Sequence, residues 1–508
     1  MGEDSSINKR LKDALFLAIN ANYQFSEDAF AHLKEIAKEK ELSEMVKNVI
    51  ERLNALTEKK YVITRQDFEE PQKKEEPIKT VKKVFRPLAK EIEPDIKILE
   101  DPSGQLGSDG DIKSFLNYFQ DRYIRLKDLL KQRMDVRDAI SIKDALEQKT
   151  HTKINVIGIV SEKAERKKTI FLQIEDLESN ANVIVPSTVE ENVFKKAQEL
   201  MLDQVICVSA VKGQGDLLIA NDIIWPDIPE RKARSAELAV HVALISDLHI
   251  GSKEFLKEAF NRFIRWLNGK VGNGRQRRLA GRIKYILIAG DLVDGIGVYP
   301  DQEKDLEITD IFEQYRIAAK YLAQIPEYIT ILIIPGNHDA TRQALPQPAI
   351  PKIYAAPLYE LKNVIMLGNP SRIQLHGVET LMYHGRSLDD VISTVPGVSY
   401  QTLSSSVPKA MEILLKARHL APMFGSKTPI APEDKDHLVI NTIPDILHMG
   451  HIHVVAYENY RGTLLVNSGA CQGQTAFQRK MGLIPVPGII PVINLKTLHL
   501  TNIDFNPK

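Results

Sequence analysis

Apolar positions recur at intervals of three and four over the first sixty residues, which is the spacing of one helix face. Leu11 and Leu15 begin this pattern, and Val49 and Leu53 belong to its last part. The pattern predicts a helical domain over residues 1–62. A small bundle of this kind is more often a docking module than a catalyst, and we assign no chemistry to it.

The apolar spacing fades after this domain. Residues 65–110 carry 20 charged side chains and five prolines in 46 positions. Such a composition buries too little apolar surface to offset the entropy of the chain. We therefore predict a flexible, charged linker over residues 63–110.

Helical spacing returns over residues 111–150, which we predict to be a helical connector. Short strand-like segments then follow, with one helix before the fourth. This is the order of an OB-type barrel, and an unrelated small β domain is the alternative for residues 151–236. The predicted elements are Ile154–Val160, Thr169–Glu175, Asn182–Val185, the helix Glu190–Met201, Gln204–Val211 and Leu217–Ile224.

From residue 237 onward, short runs of consecutive apolar residues end in polar clusters. Continuous apolar runs suit strands that are buried on both faces of a layered α/β domain. Ligand sites in such domains lie at the carboxyl ends of the strands. We predict an α/β domain over residues 237–508, with strands at Val242–Ser246, Tyr285–Ala289, Ile329–Ile334, Leu381–Tyr383 and Ile443–Leu447.

Each of these runs is followed by side chains that bind metals. One Asp-x-His pair alone is more typical of a surface or a helix cap, but five clusters in order are not expected by chance. Their mixed oxygen and nitrogen donors favour Mn, Fe, Zn or Ni over Ca or Mg. The clusters are Asp247-Leu-His249, Gly290-Asp291, Gly336-Asn337-His338-Asp339, His384-Gly385 and Gly450-His451-Ile-His453.

Composition narrows the class of protein. The chain has 508 residues, and 67 Lys+Arg balance 67 Asp+Glu, which excludes a protein that binds nucleic acid by bulk charge. Two cysteines, Cys207 and Cys471, cannot form a disulfide framework and indicate a reducing compartment. The N-terminal residues lack the apolar core of a signal peptide, and no apolar run has the ~20 residues of a membrane helix. We predict a soluble cytoplasmic protein without a membrane partner.

The charge is locally uneven. Residues 253–284 hold ten Lys or Arg and two Glu, hence 10 − 2 = +8. We predict an exposed basic loop after a helix. We expect this loop to contact the backbone of a polyanion near the metals. The alternative is a solvated loop that binds no ligand. The candidate contacts in this loop are Lys270, Arg275, Arg277 and Arg278.

The motifs resemble two known families. The ordered strings DLH, GDLVDG, GNHD, HG and GHIH resemble the calcineurin-like metallophosphoesterase superfamily over about residues 240–475. The longer strings DLHIGS, IAGDLVDG, IPGNHDA, YHGRSLDD and LHMGHIH, with the predicted domain order, resemble the small subunits of archaeal D-family DNA polymerases over nearly the whole chain. The resemblance implies a multidomain fold: an N-terminal α-helical domain, an OB-fold β-barrel, and a C-terminal α/β phosphoesterase domain built as a β-sandwich in four layers with flanking helices.

The resemblance also implies a site for two divalent metal ions. Mn²⁺ is the expected ion, with Mg²⁺, Fe²⁺ and Zn²⁺ as alternatives. Two cations ~3.5–4 Å apart can orient a phosphodiester, activate a water and stabilise a leaving oxygen. His338 is the implied acid or phosphate contact. The implied ligands are Asp247, His249, Asp291 and His453 for one ion, and Asp291, Asn337, His384 and His451 for the other.

Several neighbouring residues have two interpretations. Asp339 either orients His338 or caps a helix, and Asp294 lies in the first turn of a helix or supports the metal site. Arg386 contacts phosphate or pairs with Asp389 or Asp390. Residues predicted to be structural are His241, His376, His448 and Cys471.

The resemblance implies a 3′→5′ exonuclease that proofreads for a two-subunit replicative DNA polymerase. Its expected partners are a large catalytic subunit, DNA and a sliding clamp. Two alternatives stay open. One is a scaffold protein without catalysis, because the eukaryotic polymerase B-subunits resemble this architecture without the metal ligands. The other is a stand-alone metallophosphodiesterase, which the superfamily permits.

Overall fold

The computed structural model describes residues 3–37, 42–55, 60–69 and 85–507. The chain divides into two compact units, residues 1–83 and 84–508. Among the described residues, no helix combines the length and the apolarity needed to span a bilayer.

The first unit is a small helical domain, as predicted from its apolar spacing. Ser26 caps the second helix by accepting a hydrogen bond from the Ala29 amide. The side chains of Ala14, Leu33 and Val46 meet in a common core. The elements are α1 Glu3–Asn20, β1 Gln24–Phe25, α2 Glu27–Ile36, α3 Leu42–Ala55, β2 Val62–Ile63 and a 3₁₀ helix at Arg65–Phe68, with β1 and β2 paired in parallel.

The prediction of a flexible linker over residues 63–110 is wrong for residues 85–110, and residues 70–84 lie outside the described part of the chain. A 3₁₀ helix forms at Leu88–Glu91, and β3, Ile96–Glu100, joins a six-stranded sheet. Strand β3 pairs with β13, Ser371–Leu375, which supplies the hydrogen bonds that a charged segment cannot make alone. The composition was therefore a poor guide, because the stabilising partner lies about 270 residues further along the chain.

The segment from 111 to 150 is helical, as predicted, and leads into a closed barrel of five strands. Strands β5 and β8 have the predicted bounds, and the helix before the fourth strand is shorter than predicted. Strand order around the barrel is β4-β5-β6-β8-β7. The elements are α4 Ile112–Lys131, α5 Ile142–Leu146, β4 Lys153–Arg166, β5 Thr169–Glu175, β6 Asn180–Val185, α6 Glu191–Gln198, β7 Val205–Lys212 and β8 Leu217–Ile224.

The remaining chain forms two mixed six-stranded sheets that face each other. One has the order β12-β11-β10-β9-β18-β19, and the other has the order β16-β17-β15-β14-β13-β3. The strands are β9 His241–Ile245, β10 Ile283–Ala289, β11 Thr330–Ile334, β12 Val364–Met366, β13 Ser371–Leu375, β14 Val378–Met382, β15 Ile446–Met449, β16 Val455–Tyr460, β17 Thr463–Ser468, β18 Ile489–Asn494 and β19 Leu500–Asp504.

Helices cover the outer faces of the sheets, and in the first sheet the central strands β9, β10 and β11 are apolar on both sides. In β10, Leu287 points into the core between the sheets, and Ile286 and Ile288 point into the core beneath the helices. The helices are α7 Lys257–Leu267, α8 Gly274–Ala280, α9 Ile311–Leu322, α10 Lys352–Tyr359, α11 Leu388–Thr394, α12 Leu403–Ala417 and α13 Ala476–Met481, with 3₁₀ helices at Gln302–Lys304 and Tyr400–Thr402.

A buried ion pair joins α4 to the loop before β15. The Arg122 side chain is fully buried and donates to Oδ2 of Asp436 at 2.8 Å and to the Pro422 carbonyl at 2.6 Å. His419 Nε2 lies 2.8 Å from the same Asp436 oxygen, and the Ala421 amide donates to its Nδ1. The cluster fixes the helical connector against the two facing sheets, which together form a β-sandwich.

This cluster makes the protein sensitive to acid. Burial lowers the pKa of His419 to about 4, so this imidazole is neutral in the folded state at neutral pH. The unfolded chain takes up the proton near pH 6.5, and stability present above that pH is therefore lost as the pH falls towards 4. We expect acidification from pH 7 to pH 4.5 to lower the free energy of unfolding by about 2 kcal/mol through this group. Denaturant titrations at both pH values measure the change, and a His419→Gln variant that loses as much would contradict it.

Candidate metal centre

The structure brings all seven predicted metal ligands together. Strands β9, β10 and β11 run parallel, as do β14 and β15, so the carboxyl ends within each set share one edge. The loops after these five strands line a common cleft between the two sheets. The seven side chains are Asp247 and His249 after β9, Asp291 after β10, Asn337 after β11, His384 after β14, and His451 and His453 after β15.

Four of these side chains form a first group. Nε2 of His249 lies 3.1 Å from Nε2 of His453, and Nε2 of His453 lies 3.4 Å from Oδ1 of Asp247. Oδ2 of Asp291 lies 3.7 Å from Nε2 of His249. Four donor atoms therefore point at one small volume.

A second group shares Asp291 with the first. Oδ2 of Asp291 lies 3.3 Å from Nε2 of His384, which in turn lies 3.0 Å from Oδ1 of Asn337. A ring nitrogen of His451 belongs to the same group, since ligand atoms of Asp291, His384 and His451 all lie within 4.8 Å of one another. The shared oxygen of Asp291 thus faces both groups.

The donor set fits divalent metal ions. Ligand atoms about 2.0–2.2 Å from an ion, at angles near 90–110°, lie about 3.0–3.5 Å from one another. The closest separations, between 3.0 and 3.4 Å, fall in this range. Mixed imidazole, carboxylate and amide donors suit Mn²⁺, Fe²⁺ or Zn²⁺.

The backbone is strained where it carries these ligands. Positive φ angles occur at five of the seven ligands: Asp247 (51°), His249 (50°), Asp291 (51°), His451 (71°) and His453 (58°). Such conformations cost free energy and cluster at functional sites. They aim side chains two residues apart, such as His451 and His453, at the same cleft.

Glycines in the motifs leave room for the ligands. A Cβ atom at Gly336 would lie 2.2 Å from Oδ1 of Asp291, and one at Gly450 would lie 2.5 Å from Oδ2 of Asp247. These separations are too short for any side chain. The glycine of the GNHD string and that of the GHIH string are therefore required by close packing against a carboxylate.

Each ligand histidine has a polar contact at its other nitrogen, and such a contact holds a coordinating imidazole in one orientation. Nδ1 of His249 lies 2.9 Å from Oδ1 of Asp294, and Nδ1 of His384 donates to the Ala289 carbonyl at 2.8 Å. The side-chain amide of Gln478 contacts Nδ1 of His453 at 3.0 Å, and Nε2 of His451 lies 2.8 Å from Oδ2 of Asp389.

His338 lies beside the first group, with its ring edge-on to His249 at a centroid distance of 4.6 Å. Its Nδ1 donates to the Asp294 carbonyl at 2.7 Å, so Nε2 is the nitrogen left for a substrate. The side chain lines the cleft. This placement agrees with a role that requires contact with a substrate.

The chain is similar to several known proteins over most of its length. A DNA polymerase II small subunit from Methanocaldococcus jannaschii is 44% identical over 412 residues, which cover 80% of this chain and 68% of the relative. The chain belongs to the family of DNA polymerase II small subunits. Members from Methanothermobacter thermautotrophicus and Pyrococcus furiosus are both 41% identical and cover 80% and 79% of this chain. The chain spans 82% of the former and 65% of the latter.

A broader family model, which describes the B subunits of DNA polymerases alpha and epsilon, matches residues 242–455. The matched range begins in β9 and includes all seven candidate ligand positions. It therefore coincides with most of the sandwich and excludes the barrel.

The electrostatics of the cluster depend on Asp291. Burial raises the pKa of this carboxyl, but the neighbouring His384 and His338 outweigh burial and hold it well below its usual range. Burial, and then the charge of Asp291, raise the pKa of Asp339 to about 6. The ionised form of Asp291 is therefore favoured over the protonated form even without a bound cation.

The contacts of Asp294 agree with the second of its two interpretations, support of the metal site, and those of Asp339 agree with neither. The prediction that Asp294 begins a helix is wrong, because it lies in the loop after β10 and contacts His249. Neither interpretation of Asp339 is correct: its oxygens accept hydrogen bonds from the amides of Gly336 and Leu292 and from the Tyr315 hydroxyl. Asp339 therefore joins the loop after β10 to the loop after β11. This contact depends on the tertiary structure and has no local sequence signal.

The ion pair predicted for Arg386 is wrong. Its guanidinium donates to the side chain and carbonyl of Gln343, whereas Asp389 contacts His451, and Asp390 accepts from Thr428. Phosphate binding by Arg386 stays a prediction. Residues not singled out from the sequence include Gln478, although the Thr475-x-x-Gln478 capping box that starts α13 is a sequence signal.

The predicted basic loop is partly a helix, because Asn273 and Gln276 form a capping box that starts α8. Helix α8 ends three residues before β10, at the amino end of that strand, and Asp291 follows its carboxyl end. The seven residues of β10 separate the two by about 20 Å. The structure therefore does not bring the basic side chains to the metal ligands, and their contact with DNA stays a prediction. These side chains, all exposed, are Lys270, Arg275, Arg277 and Arg278.

The four residues predicted to be structural are buried or half-buried. His448 is fully buried with Nε2 3.0 Å from Oγ of Ser468, and burial lowers its pKa to about 3. His241 begins β9, and His376 lies in the turn between β13 and β14 beside Tyr285. Cys471 is a free thiol in the apolar core beneath the helices.

Proposed function

We propose that this small subunit carries a two-metal 3′→5′ exonuclease of the calcineurin-like metallophosphoesterase type, which hydrolyses DNA phosphodiester bonds. One observation carries the proposal: seven donor side chains form two groups that share one oxygen of Asp291. A carboxylate shared in this way could hold two cations close together, which is the arrangement used by two-metal nucleases.

The ligand assignment follows the two groups. Asp247, His249 and His453 would hold one ion with Asp291, and Asn337, His384 and His451 would hold the other with it. Bound ions of this kind polarise a phosphodiester and lower the pKa of a water.

The chain's own residues position the substrate and handle the leaving group. His338 has a fixed Nδ1 and a free Nε2, so Nε2 can contact a phosphoryl oxygen or supply the proton that the leaving 3′-oxygen needs. Arg386 is held near Asn337 through Gln343, which contacts both residues. A guanidinium at this place suits binding of a non-bridging phosphate oxygen.

The walls of the cleft suit a nucleotide better than a bare phosphate. Beyond the ligands, the cleft is lined by two tyrosines and a group of apolar side chains. Apolar and aromatic surfaces can accept an unpaired base, which is the substrate form that a proofreading nuclease needs. These residues are Tyr299, Tyr400, Leu403, Ile452, Leu483, Ile484 and Pro485.

The other domains fit a subunit within a larger assembly. We propose that the closed barrel is an OB fold, and that the barrel and the helical domain of residues 1–62 contact a large catalytic subunit. DNA and a sliding clamp are further proposed partners. The closed strand order with a helix before the fourth strand supports the OB assignment.

The test is release of mononucleotides from DNA. We expect the purified chain, with Mn²⁺ and alone or with the large subunit, to shorten a 5′-labelled single strand from its 3′ end. A mispaired 3′ terminus should be removed faster than a paired one, since an unpaired base enters the cleft without melting. Chelation of the metal should stop the reaction. A protein that shortens neither strand under any of these conditions is not the proposed exonuclease.

Bis-p-nitrophenyl phosphate and cyclic nucleotides distinguish a general phosphodiesterase from the proposed nuclease. A general phosphodiesterase would hydrolyse these small substrates at least as well as DNA. The proposed nuclease should prefer DNA, because only DNA reaches the apolar wall and Arg386 together.

A further inference from the structure

His451 is oriented differently from the other three ligand histidines. In His249, His384 and His453 the protein contacts Nδ1, which leaves Nε2 to face the metal group. In His451 the protein contacts Nε2 through Asp389, so Nδ1 is the nitrogen left for an ion. The contact at Nε2 of His451 therefore leaves the opposite nitrogen for a metal group from the one left in the other three rings.

Asp389 is placed to act on His451 from one side of the cleft. It lies in the first turn of α11, where the positive end of the helix dipole favours a carboxylate. Its Oδ2 lies 2.8 Å from Nε2 of His451, and its Oδ1 accepts a hydrogen bond from the Tyr400 hydroxyl at 2.5 Å. Both carboxylate oxygens are thus engaged, and the side chain has one defined orientation.

Tyr400 belongs to the wall of the cleft. It lies in the 3₁₀ helix before α12, and its ring lines the same cleft as His451. Its hydroxyl donates to Asp389 instead of pointing into the cleft. The chain Tyr400–Asp389–His451 therefore connects the substrate wall to a metal ligand.

We propose that Asp389 and Tyr400 are positioning residues that hold His451 with Nδ1 towards the second metal. The inference rests on the proposed two-metal site. The His451 ring lies 5.1 Å from the His384 ring, centroid to centroid, and one of its nitrogens lies within 4.8 Å of the ligand atoms of Asp291 and His384. Asp294 has the matching role for His249 in the first group, because it contacts Nδ1 of that ring at 2.9 Å.

Calorimetric titration of the full chain with Mn²⁺, without DNA, tests the positioning role. The native chain should bind two ions. Loss of a residue that orients a ligand typically weakens metal binding 10–100-fold. We expect Asp389→Asn to weaken one of the two binding steps by this factor and to leave the other unchanged. Tyr400→Phe removes one hydrogen bond to Asp389 and should weaken the same step by a smaller factor.

Three further variants serve as matched controls. Asp294→Asn should weaken the other binding step, and the double variant Asp389→Asn/Asp294→Asn should weaken both. Tyr299 lines the same cleft, but its hydroxyl contacts Asp305 and no ligand. Tyr299→Phe should therefore leave both steps unchanged, and thermal unfolding without metal should show that all variants fold.

The outcomes separate this inference from the proposed function. If both ions bind Asp389→Asn as tightly as the native chain, or more tightly, Asp389 does not position His451 and the inference is wrong. A loss shared equally by both steps would also contradict it. If the metal effects occur as expected but no variant or native chain cleaves DNA, the proposed function fails and the positioning role stands.

Discussion

Replacing Asp291 by Asn is expected to abolish the proposed nuclease activity while leaving the fold and the assembly with a large subunit intact. Asp291 supplies the oxygen that faces both groups of donors, so its loss affects both proposed ions at once. Metal ions contribute several kcal/mol to the stabilisation of the transition state, which corresponds to at least ~1000-fold in rate. A residual rate above one hundredth of the native rate would contradict the two-metal assignment.

The fold should tolerate this change for electrostatic reasons. An amide at position 291 can still accept the hydrogen bond that the His338 amide donates to Oδ1. It also removes the charge that helps to raise the pKa of Asp339. Less repulsion between buried carboxyls offsets the lost attraction to His384. Thermal unfolding without metal measures this balance, and Asp128→Asn, at an exposed position of α4, is the control.

The same variant decides between a nuclease and a scaffold. Copurification with the large subunit measures assembly, and release of 3′ nucleotides measures activity. If Asp291→Asn loses activity and keeps assembly, the site is catalytic. If assembly fails in a chain that is still folded, the donor groups serve a structural purpose, as the scaffold hypothesis requires.

Replacing Arg122 by Met should cause a large loss of stability. The guanidinium is fully buried, donates to Asp436, Pro422 and Tyr118, and lies over the Tyr118 ring at 4.9 Å. Met fills a similar volume but leaves the Asp436 carboxylate buried without a cation, held by His419 and by the Leu438 amide. Removal of one partner of a buried ion pair typically costs about 3–5 kcal/mol. Urea denaturation of the full chain measures the change in the free energy of unfolding. The signal should report on the unfolding of the region that contains α4.

An exposed ion pair provides the comparison. Arg133 pairs with Asp135 on the surface, where such pairs contribute about 0–1 kcal/mol. Arg133→Met should therefore change the free energy of unfolding little. Equal effects of the two substitutions would show that the buried pair does not stabilise the junction between α4 and the sandwich. The double variant Arg122→Met/Asp436→Leu should recover part of the loss, since no charge is left unpaired.

The sequence predicted those features that depend on local pattern. Strand β5 was predicted as a short strand-like segment with the observed bounds, and the candidate ligands were predicted from clusters directly after apolar runs. Both signals are complete within a short stretch of chain. Contacts between distant segments carry no such signal: β3 forms because it meets β13, and Asp389 contacts His451 across 62 positions.

The basic segment shows how position along the chain can mislead. It follows the strand that carries Asp247 and His249, which suggested proximity to the metals. Helix α7 lies between them, and its eleven residues extend about 16 Å. Together with the position of α8 before β10, this accounts for the placement of Arg275 away from the cleft. The capping box at Asn273 could have identified the helix but not its distance from the ligands.

Strand β3 belongs to the smallest fragment that we expect to fold with an intact candidate metal centre. Residues 96–100 complete the sheet whose strands β14 and β15 lead to His384 and His451. A fragment that began at residue 237, the predicted start of the phosphoesterase domain, would leave β13 as an open edge with unpaired backbone groups. The two facing sheets are therefore built from two separate pieces of chain, and the barrel is an insertion between them.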